Sequence, residues 1–255
     1  MSVHKLDPNR SDQSNMSADE AEWRLRVDVA AACRLAAIYG WDDQIATHIT
    51  ARLPGEGHRF LINPFGHYFE EVTASSLMIL DEHGNADREG PLNLAGFTVH
   101  SAIHMNREDA HAVVHLHTVA GIAVSASKGG LRNISHNTMM VHPVVYHDWE
   151  GVVINPDERG RLARDIGTAN AMLLHNHGSL TVGRTMAEAF QRAYFLQRAC
   201  EVQVAAAAQG DLIEQPDSIS ELVQRQTSTK FADSSMLNWE ALLRKLDRLD
   251  PSFRN

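Results

Sequence analysis

The stretch "HAVVHLHTVAGIAVSA", residues 111–126, sets His115 and His117 two positions apart at the end of an apolar run. Side chains alternate across a strand, so the two rings share one face and Leu116 takes the other. Imidazole is costly to desolvate, so two rings at the edge of a core call for a partner. A second stretch, "AMLLHNHGSL" (171–180), repeats the spacing with His175 and His177, and its Gly178 then allows close backbone approach. Two imidazoles fixed at a rigid strand end suit a metal ion, because each offers one nitrogen and both are held before the ion arrives. A single pair is weak evidence, since an isolated histidine is more often a surface residue or a hydrogen-bonded core residue. Two pairs, each closing an apolar strand, make a metal site the better reading. Histidine ligands without thiolates suit a divalent zinc, iron, manganese or cobalt ion alike.

Composition narrows the setting. The chain has 255 residues and 44% hydrophobic content, enough for one large domain or two small ones with a substantial core. Its formal net charge of -9, with no run of Lys and Arg, argues against a nucleic-acid partner. Cys33 and Cys200 lie far apart in Ala-rich, helix-like surroundings and read as small core residues in a reducing compartment. The start, "MSVHKLDPNRSDQSNMS", lacks the apolar stretch of a signal peptide, and the best apolar run, "VDVAAACRLAAIYGW", is broken by Arg34. The expectation is a soluble, cytoplasmic protein with no membrane partner.

Along the chain, residues 1–16 read as a flexible tail. Ser17 and Glu20 form a capping box, with an Ala-rich helix to follow. "THITARL", "HRFLIN" and "SLMIL" are brief strands separated by turn signals. "AGFTVHSAIHMN" has helical spacing, "AVVHLH" is strand-like, and "TVAGIAVSA" returns as a helix. "NPDERGRLARDIG" reads as a helix with Asn155 as N-cap, Pro156 at its first position and Glu158 closing the box. "AMLLHNHGSLTVG" gives one or two strands. Thr185 to Glu188 opens a long helix, and a polar stretch near 209–234 leads to a short last helix, "SSMLNWEALLRKLDRL". Hairpin-like early strands point to a sheet that is not purely parallel.

The order "HSAIH", "REDAHAVVHLHT", then "LLHNHG" resembles the class II aldolase/adducin family, over about residues 20–210. "HITAR", "FLINPFG" and the C-terminal "LDRLDPSFRN" are similar to its adducin-like bacterial branch. The resemblance implies an α/β fold, a three-layer α/β/α arrangement with a central, mostly antiparallel sheet spanning 17–210. Residues 211–255 would form a C-terminal extension. It also implies a homotetramer with active sites between subunits, and a divalent metal held by His115, His117 and His177. His175 has no fixed role in the family, and it and His104 are expected beside the metal or the substrate.

Where the chain departs from the family's aldolases is also informative. Their acidic proton shuttle falls at Gly96, and their phosphate-binding Gly-Asn and Ser-Ser pairs fall at Thr47-His48 and Leu94-Ala95. Those replacements do not supply what a phosphate wants. The glycine would leave space for a bulkier acid. The candidates to replace the missing acid are His100, Tyr146 and Glu71, with Glu70 and His104 behind them. A metal on three histidines can act as a Lewis acid and stabilise an enolate. Retro-aldol cleavage needs a base at its first step and decarboxylation needs none. The expected function is therefore a metal-dependent carbon-carbon lyase, of decarboxylase or aldolase type, acting on a non-phosphorylated hydroxy or keto acid. The rivals are a non-haem iron oxygenase cleaving an aromatic keto or hydroxy acid and, more distantly, a non-enzymatic adducin-like interaction module.

Overall fold

Ser17 opens the first helix in the manner its spacing to Glu20 requires. The Ser17 hydroxyl accepts from the Glu20 amide at 3.3 Å, and the Glu20 carboxylate accepts from the Ser17 amide at 2.9 Å. The helix it starts, α1 (Ala18–Ile38), buries Val29, Cys33 and Leu35 completely. The computed structural model describes residues 16–55, 57–153, 155 and 157–255. The expected tail over 1–16 therefore lies, apart from Met16, outside the described residues.

The strands are β1 (His48–Arg52), β2 (Phe60–Ile62), β3 (Met78–Leu80), β4 (Ala112–Leu116), β5 (Val144–His147), β6 (Ala171–Leu174) and β7 (Gly178–Gly183). They form one sheet in the order β3-β2-β1-β4-β7-β6-β5. Only β5 and β6 run parallel, so the expected mostly antiparallel sheet is what forms. The other helices are α2 (Leu94–His104), α3 (Val119–Ser125), α4 (His136–Val141), α5 (Glu158–Ile166), α6 (Met186–Ala206), α7 (Asp217–Thr227) and α8 (Phe231–Leu249).

Alternation along β4 sorts these helices into two outer layers. Ala112, Val114 and Leu116 pack with Leu35 of α1, Phe190 of α6 and Trp239 of α8. Val113 points the other way and packs with Val99 and Ile103 of α2 and with Leu162 and Ile166 of α5. Burying each such large side chain contributes roughly 1.5–3 kcal/mol, so both layers are held firmly to the sheet. The Trp239 indole also donates to Asp28 of α1 at 2.8 Å, locking α8 in place.

Three local expectations are corrected. Asn155 does not cap α5: its side chain accepts from the Asp157 amide, Asp157 is the N-cap, and the helix begins at Glu158. Pro156 lies outside the described residues. The polar stretch before the last helix contains α7, whose inward-facing residues are Ile219, Ser220, Val223, Gln224 and Thr227. The last helix is not short, since α8 runs for 19 residues.

Candidate metal centre

His115 sits on β4 and His117 just beyond its end, so the strand aims both rings from one face. His175 and His177 lie in the turn between β6 and β7, with Asn176 at φ 59°. A left-handed residue between them sends the two rings apart, so the second pair shares the spacing of the first but not its common face. His177 turns towards His115 and His117, with ring centroids 4.9 and 4.7 Å away. His175 turns aside, donating from Nδ1 to the Ser125 carbonyl at 2.6 Å and stacking on Tyr146. Gly178 is required by close approach, because a Cβ there would collide with the Leu116 carbonyl oxygen.

The three clustered rings can each offer one nitrogen, and these atoms lie within 4.8 Å of one another. Hydrogen bonds fix which nitrogen is free. His115 Nδ1 donates to the Ser179 carbonyl at 3.0 Å, and His117 Nδ1 donates to the Asp43 carboxylate at 3.2 Å. On neutral rings both Nε2 atoms are therefore bare lone pairs, and they face each other at 2.9 Å. Two facing lone pairs repel unless a cation lies between them. His177 Nδ1 is buried with no hydrogen-bond partner. Two nitrogens on a tetrahedral ion at its usual bond length stand roughly 3.4 Å apart, so small shifts of these rings would accept one.

Electrostatics favour the ligand form. Burial, and then the neighbouring rings, hold His115 well below the usual histidine range. Burial, with His117 and His147 nearby, brings His177 down to about 4. His117 is lowered by burial, and Asp43 opposes the shift. Rings that are already neutral need lose no proton to bind a metal at neutral pH.

Beside the triad opens a cavity of about 300 Å³. Phe65, Val99, Trp149, Val152 and Val153 give it apolar walls, and among the described residues no lysine or arginine lines it. Thr47, Leu94 and Ala95 stand at positions where the family resemblance puts phosphate contacts. The Thr47 hydroxyl is buried without a partner, Leu94 is exposed, and Ala95 reaches the cavity with a methyl group.

The other sequence candidates fall elsewhere. Glu70 and Glu71 are exposed on a short turn of 3-10 helix, where Glu71 accepts from the Tyr68 amide. Tyr146 lines a separate depression together with His175. His100 and His104 are fully buried on α2, behind the cavity wall. Three residues that sequence reasoning did not assign to the site touch it: Asp43 on His117, Trp149 edge-on to His177 at 4.9 Å, and His48 beside His115. His48 pairs with His115 across β1 and β4, a register that no local spacing reveals. Gly96 does not leave a vacant space. A Cβ at Gly96 would stand 3.0 Å from His48 Cδ2, so the histidine ring already fills it.

Sheet order, outer helices and a three-histidine centre at the end of β4 together define the class. The model of the class II aldolase and adducin N-terminal domain matches residues 27–204, and the chain belongs to that family. A Caulobacter vibrioides protein named "Putative aldolase class 2 protein" is 47% identical over 239 residues, covering 92% of this chain and 93% of that one. Rat alpha-adducin is 42% identical over 195 residues, covering 74% of this chain and 26% of the adducin. The crystal structure of an aldolase II superfamily protein from Pseudomonas syringae superposes with a TM-score of 0.87 at 40% identity, covering 96% of this chain and 99% of that one.

Proposed function

We propose that this chain is a metal-dependent carbon-carbon lyase, of decarboxylase or aldolase type, acting on a non-phosphorylated hydroxy or keto acid. The observation that carries this reading is a set of three neutral, converging imidazoles beside an apolar cavity that has no cationic side chain. A divalent ion held by His115, His117 and His177 would supply Lewis acidity towards a substrate oxygen and so stabilise an enolate as the carbon-carbon bond breaks. Ser179 and Asp43 hold the first two rings by their far nitrogens and keep their lone pairs aimed at the centre. Phe65, Val99 and Trp149 exclude water and offer contact to an apolar substrate body. With glycine at position 96, decarboxylation is the favoured reaction, because its first step removes no proton.

Likeness to alpha-adducin supports a second reading, an interaction module with no chemistry. The triad weighs against it, since a scaffold gains nothing from a costly buried polar cluster. A homotetramer with sites between subunits is part of our reading. Trp149 and Val152 support it, being 48% and 68% exposed at the cavity rim, where a second subunit could cover them.

The test is a substrate panel run on metal-loaded protein, with carbon dioxide release, aldehyde or ketone release and oxygen uptake followed in parallel. Turnover of simple hydroxy or keto acids without oxygen uptake is expected. Faster turnover of phosphorylated sugars, or stoichiometric oxygen uptake, would overturn the reading.

A further inference from the structure

Between α2 and β1 runs a chain of hydrogen bonds that can point in only one direction. His104 Nδ1 lies 2.8 Å from the Ala110 carbonyl oxygen, which can only accept, so Nδ1 carries the ring proton. On a neutral ring Nε2 is then an acceptor, and it takes the Thr50 hydroxyl hydrogen at 2.8 Å. The Thr50 oxygen, its own hydrogen committed, accepts from His100 Nδ1 at 2.5 Å. His100 Nε2 must in turn accept from His48 Nδ1 at 2.8 Å. His48 is left with a bare Nε2, for which no hydrogen bond is present among the described residues.

The end of this chain reaches the cavity. His48 lines it, 3% exposed, with its ring stacked on His115 at 4.8 Å between centroids. Its Cδ2 edge fills the space beside Gly96, the position where the family resemblance puts an acidic residue. A carboxylate is an acceptor that brings charge. The bare nitrogen of His48 is an acceptor that brings none. A lone pair pointed at a substrate repels carbonyl and carboxylate oxygens and welcomes an O–H group.

We propose that His48 accepts a hydrogen bond from a substrate hydroxyl through Nε2 and thereby selects hydroxylated acids over acids that lack the hydroxyl. Thr50, His100 and His104 are positioning residues that fix its tautomer. The proposal rests on the reading of the cavity as a substrate site. A merely structural cluster would have no reason to end on an unsatisfied acceptor beside the triad.

Two measurements on zinc-loaded protein test it. Nitrogen-15 spectra of the imidazoles are expected to show His48 protonated at Nδ1 and bare at Nε2. Calorimetry is expected to show mandelate, taken as both enantiomers, binding roughly tenfold more tightly than phenylacetate, its counterpart without the hydroxyl. Thr50→Val keeps the shape but removes the link, so His48 should sample both tautomers and the preference should shrink; His48→Phe should shrink it as well. Chelation of the hydroxyl by zinc would persist in both variants, so the loss of preference isolates the contribution of His48. A proton on His48 Nε2, equal affinity for the two acids, or a preference unchanged in both variants would overturn the proposal and leave the reading of the cavity intact. Failure of both acids to bind would overturn that reading and the proposal with it. The spectra need no variant, so a misfolded His48→Phe leaves the test standing.

Discussion

Asp43 places Oδ2 3.2 Å from Nδ1 of His117, so an exposed carboxylate on the loop before β1 holds a ring of the triad from behind. Such outer partners fix the tautomer and raise the basicity of a ligand. Asp43→Asn should weaken metal affinity by about 10–100-fold, read by competition with a chelator. Unaltered affinity would mean that His117 is held by its backbone alone.

Gly96 yields a prediction of unusual sign. Replacing glycine by alanine within a helix ordinarily stabilises by up to about 1 kcal/mol. Here the new methyl would meet His48 Cδ2 at 3.0 Å and Asn93 Cγ at 3.3 Å, both parts of short, hydrogen-bonded side chains. Gly96→Ala should therefore destabilise by about 1–3 kcal/mol in urea unfolding, and Gly96→Glu by more. A Gly96→Ala variant more stable than the parent would show that His48 can move aside freely.

Acid should weaken the metal-free protein through its buried rings. His48 and His104 are fully buried, and burial is the main cause that brings each from the ordinary 6.5 down to about 3. Above about pH 6.5 these rings are neutral in both folded and unfolded states and contribute no pH dependence. Between 6.5 and 3 the unfolded chain binds a proton that the folded ring refuses, so stability falls as pH falls. The slope is at most about 1.4 kcal/mol per pH unit for each ring. Urea unfolding from about pH 8 to about pH 5 should be flat at first and then decline, and His104→Gln should flatten the decline. An unchanged slope in that variant would contradict the account.

What could be read from the sequence followed the range of each signal. The period of two along β4 gave the shared face of His115 and His117, and the capping residues gave α1 and α6. The divergence of His175 from His177 was hidden, because a left-handed Asn176 leaves no mark on spacing. His48 was hidden for a different reason: its neighbours His100 and His115 come from other elements, joined only by sheet register and helix packing. Glu71 and Tyr146 are candidates by side-chain chemistry alone, and within one chain they lie away from the triad.

The central claim is that His115, His117 and His177 together hold one divalent ion, and metal content of protein purified without a histidine tag tests it most directly. About one equivalent per chain is expected in the parent. His115→Ala, His117→Ala and His177→Ala should each lose it while circular dichroism and oligomeric state stay those of the parent. Full occupancy in all three variants, or a parent that takes up no zinc, iron, manganese or cobalt when offered each, would contradict the account.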